Sequence, residues 1–132
     1  MILLDTHVLV WWVSGQDGLL SAQAADTIAR EHDDGELLVS SISAWELAML
    51  VSRGRLVLSL EIGQWLALVS QTPSLRVVPV DNAIAVASAT LPGDFHKDPA
   101  DRLITATARK LGAPLVTADE RIRAYPHVRT VW

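Results

Sequence analysis

The chain has 132 residues, half of them hydrophobic, no cysteine, and a formal net charge of −4. That is about one domain's worth of chain with enough apolar matter for its own core; the missing cysteines exclude disulfide scaffolds and thiolate metal sites and fit a reducing compartment. The acidic balance disfavours a general nucleic-acid coat protein, but not an enzyme whose acidic centre is served by a few placed arginines.

Arginine makes up nine of the eleven basic residues, and its planar fork suits phosphate oxygens better than lysine does. Ordinary solvated surface is the equally good reading of any one of them. The apolar stretch Ile2–Val13 is interrupted by Asp5 and His7, and no basic region precedes it. It falls well short of the roughly 20 apolar residues of a membrane span. The expectation is a soluble cytoplasmic protein with no membrane partner.

In chain order, Met1–Leu4 reads as a short apolar strand ending at Asp5, and Thr6–Val13 as a helix broken by Ser14 and Gly15. Ser21–Glu31 is a second helix with Ser21 as its cap, followed by a strand at Leu37–Ser40. Ser43–Arg53 is helical and closes at Gly54, and Glu61–Gln71 is a helix ended by Pro73. Leu75–Val80 is rich in β-formers, and Asn82–Thr90 is a helix stopped by Pro92. Asp98–Leu111 carries Pro99 in its first turn and Gly112 just past its end, the asymmetry expected of a helix. Pro114–Thr117 is a strand, Glu120–Ala124 a helical turn, and Val128–Val131 a last strand. Strands alternating with helices predict an α/β fold with a parallel sheet covered on both faces.

Four acids stand where such a fold gathers its ligands. Asp5 and Asp119 lie just beyond strand ends, while Glu46 and Asp101 lie in first helical turns, so all four share the rim at the strand C-termini. Singly, each has a structural explanation. Ser43-Ala44-Trp45-Glu46 has capping-box spacing, with Glu46 reaching back to the Ser43 amide. Asp98-Pro99-Ala100-Asp101 reads as a cap, a first-turn proline and a dipole-stabilising acid. Asp5 and Asp119 would cap the helices that follow them. Jointly, clustered carboxylates must take up protons or bind a cation. An oxygen-only set favours Mg²⁺ or Mn²⁺ over zinc. Asp5 and Asp101 are then the main ligands, with Glu46 and Asp119 completing the site through water or orienting the attacking water. Such a cation activates water and stabilises a phosphodiester in transition.

Leu3-Leu4-Asp5-Thr6, Ser41-Ile42-Ser43-Ala44-Trp45-Glu46, His96-Lys97-Asp98-Pro99-Ala100-Asp101-Arg102-Leu103-Ile104 and Leu115-Val116-Thr117-Ala118-Asp119 resemble the motifs of PIN domains, nearly end to end. More narrowly they resemble the VapC-type toxins of type II toxin–antitoxin systems. The resemblance implies a single PIN domain over 1–132 with a three-layer α/β/α fold and a central parallel sheet. It also implies Mg²⁺- or Mn²⁺-dependent endoribonuclease activity on an RNA substrate, neutralisation by a small VapB-like antitoxin, and a homodimer. The family's acids match Asp5, Glu46, Asp101 and Asp119. Asp98 is either an accessory ligand or the helix cap, and the cap is the preferred reading. Thr6 and Thr117 are candidates for contact with phosphate or metal-bound water, against a local backbone bond. Arg102 either touches phosphate or pairs with a carboxylate, and His96 is a proton carrier or plain surface.

Trp11 and Trp12 point about 100° apart on one helix, so the expectation is that they cannot both face the same core. One of them is a candidate for the antitoxin groove, to which the first helices contribute in VapC-like proteins. Base stacking is the weaker use, on the expectation that both lie past the rim. Trp45 shares a helical face with Met49 and is expected in the core. Three other functions compete. A phosphatase using an aspartyl intermediate would want an aspartate at position 7, which is His7. A catalytically inactive PIN module that binds RNA or protein would have no need of clustered acids. A DNA-flap nuclease would need segments this short chain lacks.

Overall fold

Ile2, Leu3 and Leu4 are all buried, because strand β1 (Ile2–Leu4) lies at the centre of a sheet covered on both sides. The computed structural model describes residues 1–132 apart from the side chain of Asp17. The other strands are β2 (Leu37–Ser40), β3 (Leu75–Val78), β4 (Leu115–Val116) and β5 (Thr130–Val131). Their order is β3-β2-β1-β4-β5, and every pairing is parallel.

Side chains alternate between the two faces, as the two-residue period of a strand requires. Ile2, Leu4, Leu37 and Val39 enter one core, where α1 (Thr6–Val13), α2 (Ala22–Asp34) and α4 (Ile62–Ser70) supply Val8, Leu9, Ile28 and Trp65. Leu3, Leu38 and Leu115 enter the other, where α5 (Asn82–Ala89), α6 (Pro99–Leu111) and α7 (Glu120–Arg123) supply Ile84, Ile104 and Ile122. Helix α3 (Ser41–Ser52) leaves β2 directly and gives Leu47 to the first core and Ile42 to the border of the second. The result is the expected three-layer α/β/α arrangement. Among the described residues no helix is long and apolar enough to cross a membrane.

The connections create the crevice. From β1 the chain crosses the first face to reach β2; from β3 it returns across the second face to β4, on the other side of β1. Helices α1 and α7, which follow β1 and β4, therefore diverge to opposite faces. A gap opens between the C-terminal ends of those two strands, the switch point where open α/β sheets bind ligands.

Most predicted elements stand within two or three residues of their expected bounds. Gly54 and Gly112 follow α3 and α6 at φ +69° and +63°, the left-handed conformation a side chain would resist. One shift matters for the site. Helix α3 begins at Ser41, capped by the Ser40 hydroxyl on the Ile42 amide, two residues before the expected start.

Candidate functional site

Asp5 ends β1 and caps α1, accepting the Thr6 amide on Oδ1 at 2.9 Å. Its other oxygen accepts from the buried Thr117 hydroxyl at 2.7 Å. Thr117 Oγ1 in turn accepts the Asp119 amide at 3.1 Å, so one hydroxyl ties the end of β4 to the end of β1. Across the crevice, Thr6 Oγ1 donates to Glu46 Oε1 at 2.5 Å and lies 2.8 Å from Ser43 Oγ. Because the Thr6 proton is committed to Glu46, Ser43 is the donor of that pair.

The fourth acid arrives from the second face. Asp98 caps α6 by accepting the Asp101 amide at 2.9 Å, and Pro99 occupies the first turn. This sets Asp101 towards the crevice, where its Oδ2 meets His96 Nε2 at 2.6 Å. Asp119 caps α7 through the Arg121 and Ile122 amides. Asp5, Glu46, Asp98, Asp101 and Asp119 thus line one cleft of about 350 Å³, with Trp11 and Arg121 at its walls.

Packing carboxylates together out of water is costly, and their acidities record it. Burial raises the pKa of Asp5 even against the Thr117 and Thr6 bonds. Burial, with the charges of Asp5, Asp101 and Asp98, raises Glu46 to about 7. Asp101 is raised by burial and by Asp5, Asp98 and Asp119, despite His96. Asp119 differs: burial pushes it up, but the Ile122 and Arg121 amides and the Arg121 guanidinium outweigh this and leave it lowered. A cation in the cleft would relieve the repulsion. The donors are hard oxygens, the set Mg²⁺ and Mn²⁺ accept. Among the described residues no three acid or imidazole side chains converge tightly enough to hold an ion by themselves. The fit is therefore to a cation that keeps part of its water shell and takes one or two carboxylates directly, as Mg²⁺ commonly does.

The profile of the PIN domain matches residues 2–128. The chain belongs to the PIN-domain family. It is 42% identical over 133 residues to Ribonuclease VapC22 of Mycobacterium tuberculosis, covering 99% of this chain and 98% of that one. Its fold is similar to that in VapBC2 from Rickettsia felis bound to a promoter DNA fragment, with TM-score 0.68, 20% identity, and 98% and 97% of the two chains covered. It is similar also to the fold in DNA-bound VapBC from Salmonella typhimurium, with TM-score 0.66, 19% identity, and the same shares covered. At those identities the likeness is one of fold.

In this PIN domain the four acids expected to act together do share one cleft, but several side chains do other work than the sequence suggested. Glu46 is not half of a capping box. With α3 starting at Ser41, Ser43 is buried inside the helix and Glu46 turns to Thr6 instead of its own backbone. Thr6 and Thr117 bond to site carboxylates rather than to local backbone acceptors, so they position acids. Arg102 does not face the cleft. Its guanidinium is spent on the carbonyls of Ser88, Phe95 and His96 and lies over the Phe95 ring. His96 is not free surface, being the partner of Asp101.

The tryptophans also differ from expectation. Trp45 is 55% exposed, because the core side of α3 is Ser43 and Leu47, and Trp45 lies about 200° around the helix from each. Trp11 and Trp12 are both half-buried against the first core, with Trp11 also lining the cleft. They pack against Trp132 and His32 respectively. Sequence reasoning passed over Arg121. Its signal was a basic residue two positions after a cap acid, in the first turn of a helix at the rim.

Proposed function

We propose that this PIN domain is a metal-dependent endoribonuclease and the toxin of a toxin–antitoxin pair. The observation that carries the reading is the cleft at the β1–β4 switch point, where Asp5, Glu46, Asp101 and Asp119 meet and three of the four have raised pKa values. The identity to a protein named Ribonuclease VapC22 supports RNA as the substrate. Mg²⁺, with Mn²⁺ as substitute, is the cation that suits these donors.

Asp5 and Asp101 would hold the cation, with Glu46 and Asp119 reaching it through water. When bound, it supplies positive charge to the phosphodiester and acidity to water. The protein's own groups do the rest. Thr117 fixes the free rotation of the Asp5 carboxylate, and His96 does so for Asp101. Thr6 holds Glu46 by Oε1, leaving Oε2 to orient an attacking water and accept its proton.

For the antitoxin, an apolar groove of about 400 Å³ runs beside α1 and α4, lined by Val10, Val13, Val57, Leu60 and Leu68 among others. Val57 and Leu68 expose 90% and 55% of their surface there. Exposed apolar surface of this kind suits a protein partner better than solvent. It displaces Trp11 and Trp12 as the favoured antitoxin contact, since both tryptophans are largely used by the core. A homodimer is part of the same proposal and rests on family resemblance.

The test is to incubate the purified protein with structured and unstructured RNAs in Mg²⁺, in Mn²⁺ and in chelator, alongside Asp5→Asn and Asp101→Asn. Cation-dependent cleavage lost in both variants is the expected result. Folded wild-type protein that cleaves nothing, and whose Mn²⁺ titration shows no ion bound through Asp5, would establish the binding-only PIN module instead.

A further inference from the structure

Among the described residues, Arg121 is the one guanidinium lining the acid cleft, and its placement is unusual among the arginines. Arg102, Arg109 and Arg129 donate to backbone carbonyls, and Arg76 pairs with Glu36. Arg121 instead reaches Asp119 Oδ2 at 3.5 Å and Asp101 Oδ2 at 3.7 Å. Both distances are longer than a charge-assisted hydrogen bond, and the side chain is 62% exposed. It is a loosely held counter-charge shared between two acids. Its tether is firm, however: the Arg121 backbone amide is bound by Asp119 Oδ1 at 2.9 Å, so the arm swings from a fixed point on the rim.

We propose that Arg121 is a phosphate-binding arm that competes with the divalent cation for Asp101 and Asp119, and turns to the RNA backbone once the cation has taken them. This rests on the nuclease reading only in its second half. The first half follows from charge alone. A guanidinium and a divalent cation cannot both neutralise the same two carboxylates, so removing one favours the other. Once displaced, the fork of Arg121 stands within a side chain's reach of the acids, where a phosphate brought to the cation would lie. Two parallel N–H donors match two phosphate oxygens, which a lysine at this position would not reproduce.

The experiment compares wild type with Arg121→Ala and Arg121→Lys. Mn²⁺ alone is titrated calorimetrically into RNA-free protein, and cleavage of a single-stranded RNA is followed at saturating Mn²⁺. The exposed side chain leaves the thermal midpoint close to wild type, which unfolding scans check. Arg121→Ala is expected to bind Mn²⁺ about three- to fivefold more tightly, the effect of losing one exposed ion-pair partner. Its KM for RNA is expected to rise at least tenfold. Arg121→Lys should return Mn²⁺ affinity to wild type while KM stays high, because charge is restored and the fork is not. Unchanged or weaker Mn²⁺ binding by Arg121→Ala overturns the competition, whatever happens to cleavage. Tighter Mn²⁺ binding with an unaltered KM overturns the phosphate contact. If wild type cleaves none of the structured and unstructured RNAs and binds no Mn²⁺ through Asp5, the nuclease reading fails and the proposal with it; if it binds Mn²⁺ without cleaving, the phosphate contact is overturned and the Mn²⁺ comparison still decides the competition.

Discussion

Thr117 joins two of the site's acids through one neutral side chain. It is fully buried, and its hydroxyl gives its proton to Asp5 Oδ2 while receiving the Asp119 amide. Thr117→Val keeps the shape and removes both bonds, leaving a buried carboxylate oxygen and an amide without partners. Unfolding in urea should show a loss of about 1–3 kcal/mol, the cost of stranding such groups. The Asp5 carboxylate, left with the Thr6 amide as its one hydrogen-bond partner, should also bind Mn²⁺ several-fold more weakly. A variant with wild-type urea midpoint and Mn²⁺ affinity would mean that the two strand ends are aligned by packing alone.

At the scale of the element, α6 shows how capping and chemistry share one motif. Asp98 holds the Asp101 amide, and it also faces the cleft and adds its charge to the repulsion felt by Glu46 and Asp101. Asp98→Asn keeps a good cap without the charge; Asp98→Ala loses both. As a cap only, Asn should unfold like wild type and Ala about 1 kcal/mol sooner, and Asn should bind Mn²⁺ only about two- to fivefold more weakly, the effect of one nearby charge. A fall in Mn²⁺ affinity far beyond that charge effect in Asp98→Asn would make it a ligand. Helices and strands were legible in the sequence because caps, glycines and prolines punctuate them: Asp98-Pro99 and Gly112 bracket α6 at its observed bounds. So was the shared rim of the four acids, since it follows from parallel topology. Glu46 misled because Ser43 precedes it at the three-residue spacing of a capping box, while Ser40 and Ser41 offer other starts for the same helix. The true cap is Ser40, and only the packing of Ser43 against Thr6 decides the phase. That same phase turned Trp45 outward. Arg102 and Arg121 are alike in sequence; which faces the cleft depends on the loop from Leu91 to Asp98, whose fold no local pattern dictates.

For the whole molecule, the cleft couples stability to pH and to the cation. Glu46 titrates near 7 in the folded protein and near its ordinary 4.5 when unfolded, so between those values the folded state holds a proton the unfolded state has released. Stability then falls as pH rises through that window. Asp5 and Asp101, also raised, act in the same direction. Glu31, Asp81 and Asp119 are lowered, so their contribution is already complete above about pH 4.5 and adds no slope beyond it. In chelator, the thermal midpoint should therefore drop between pH 5 and 8, and Glu46→Gln should make the drop shallower. A cation binds the deprotonated cluster, so added Mg²⁺ should stabilise more at pH 8 than at pH 5 and cancel or reverse the trend. A midpoint that holds level or climbs from pH 5 to 8 in chelator would show that burial and mutual repulsion do not hold these acids protonated in the folded state. An Mg²⁺ effect equal at both pH values would place the cation elsewhere on the protein. The expected crossing of the two profiles would instead mean that the cleft is built at a cost to the fold, which the cation removes as the site becomes competent.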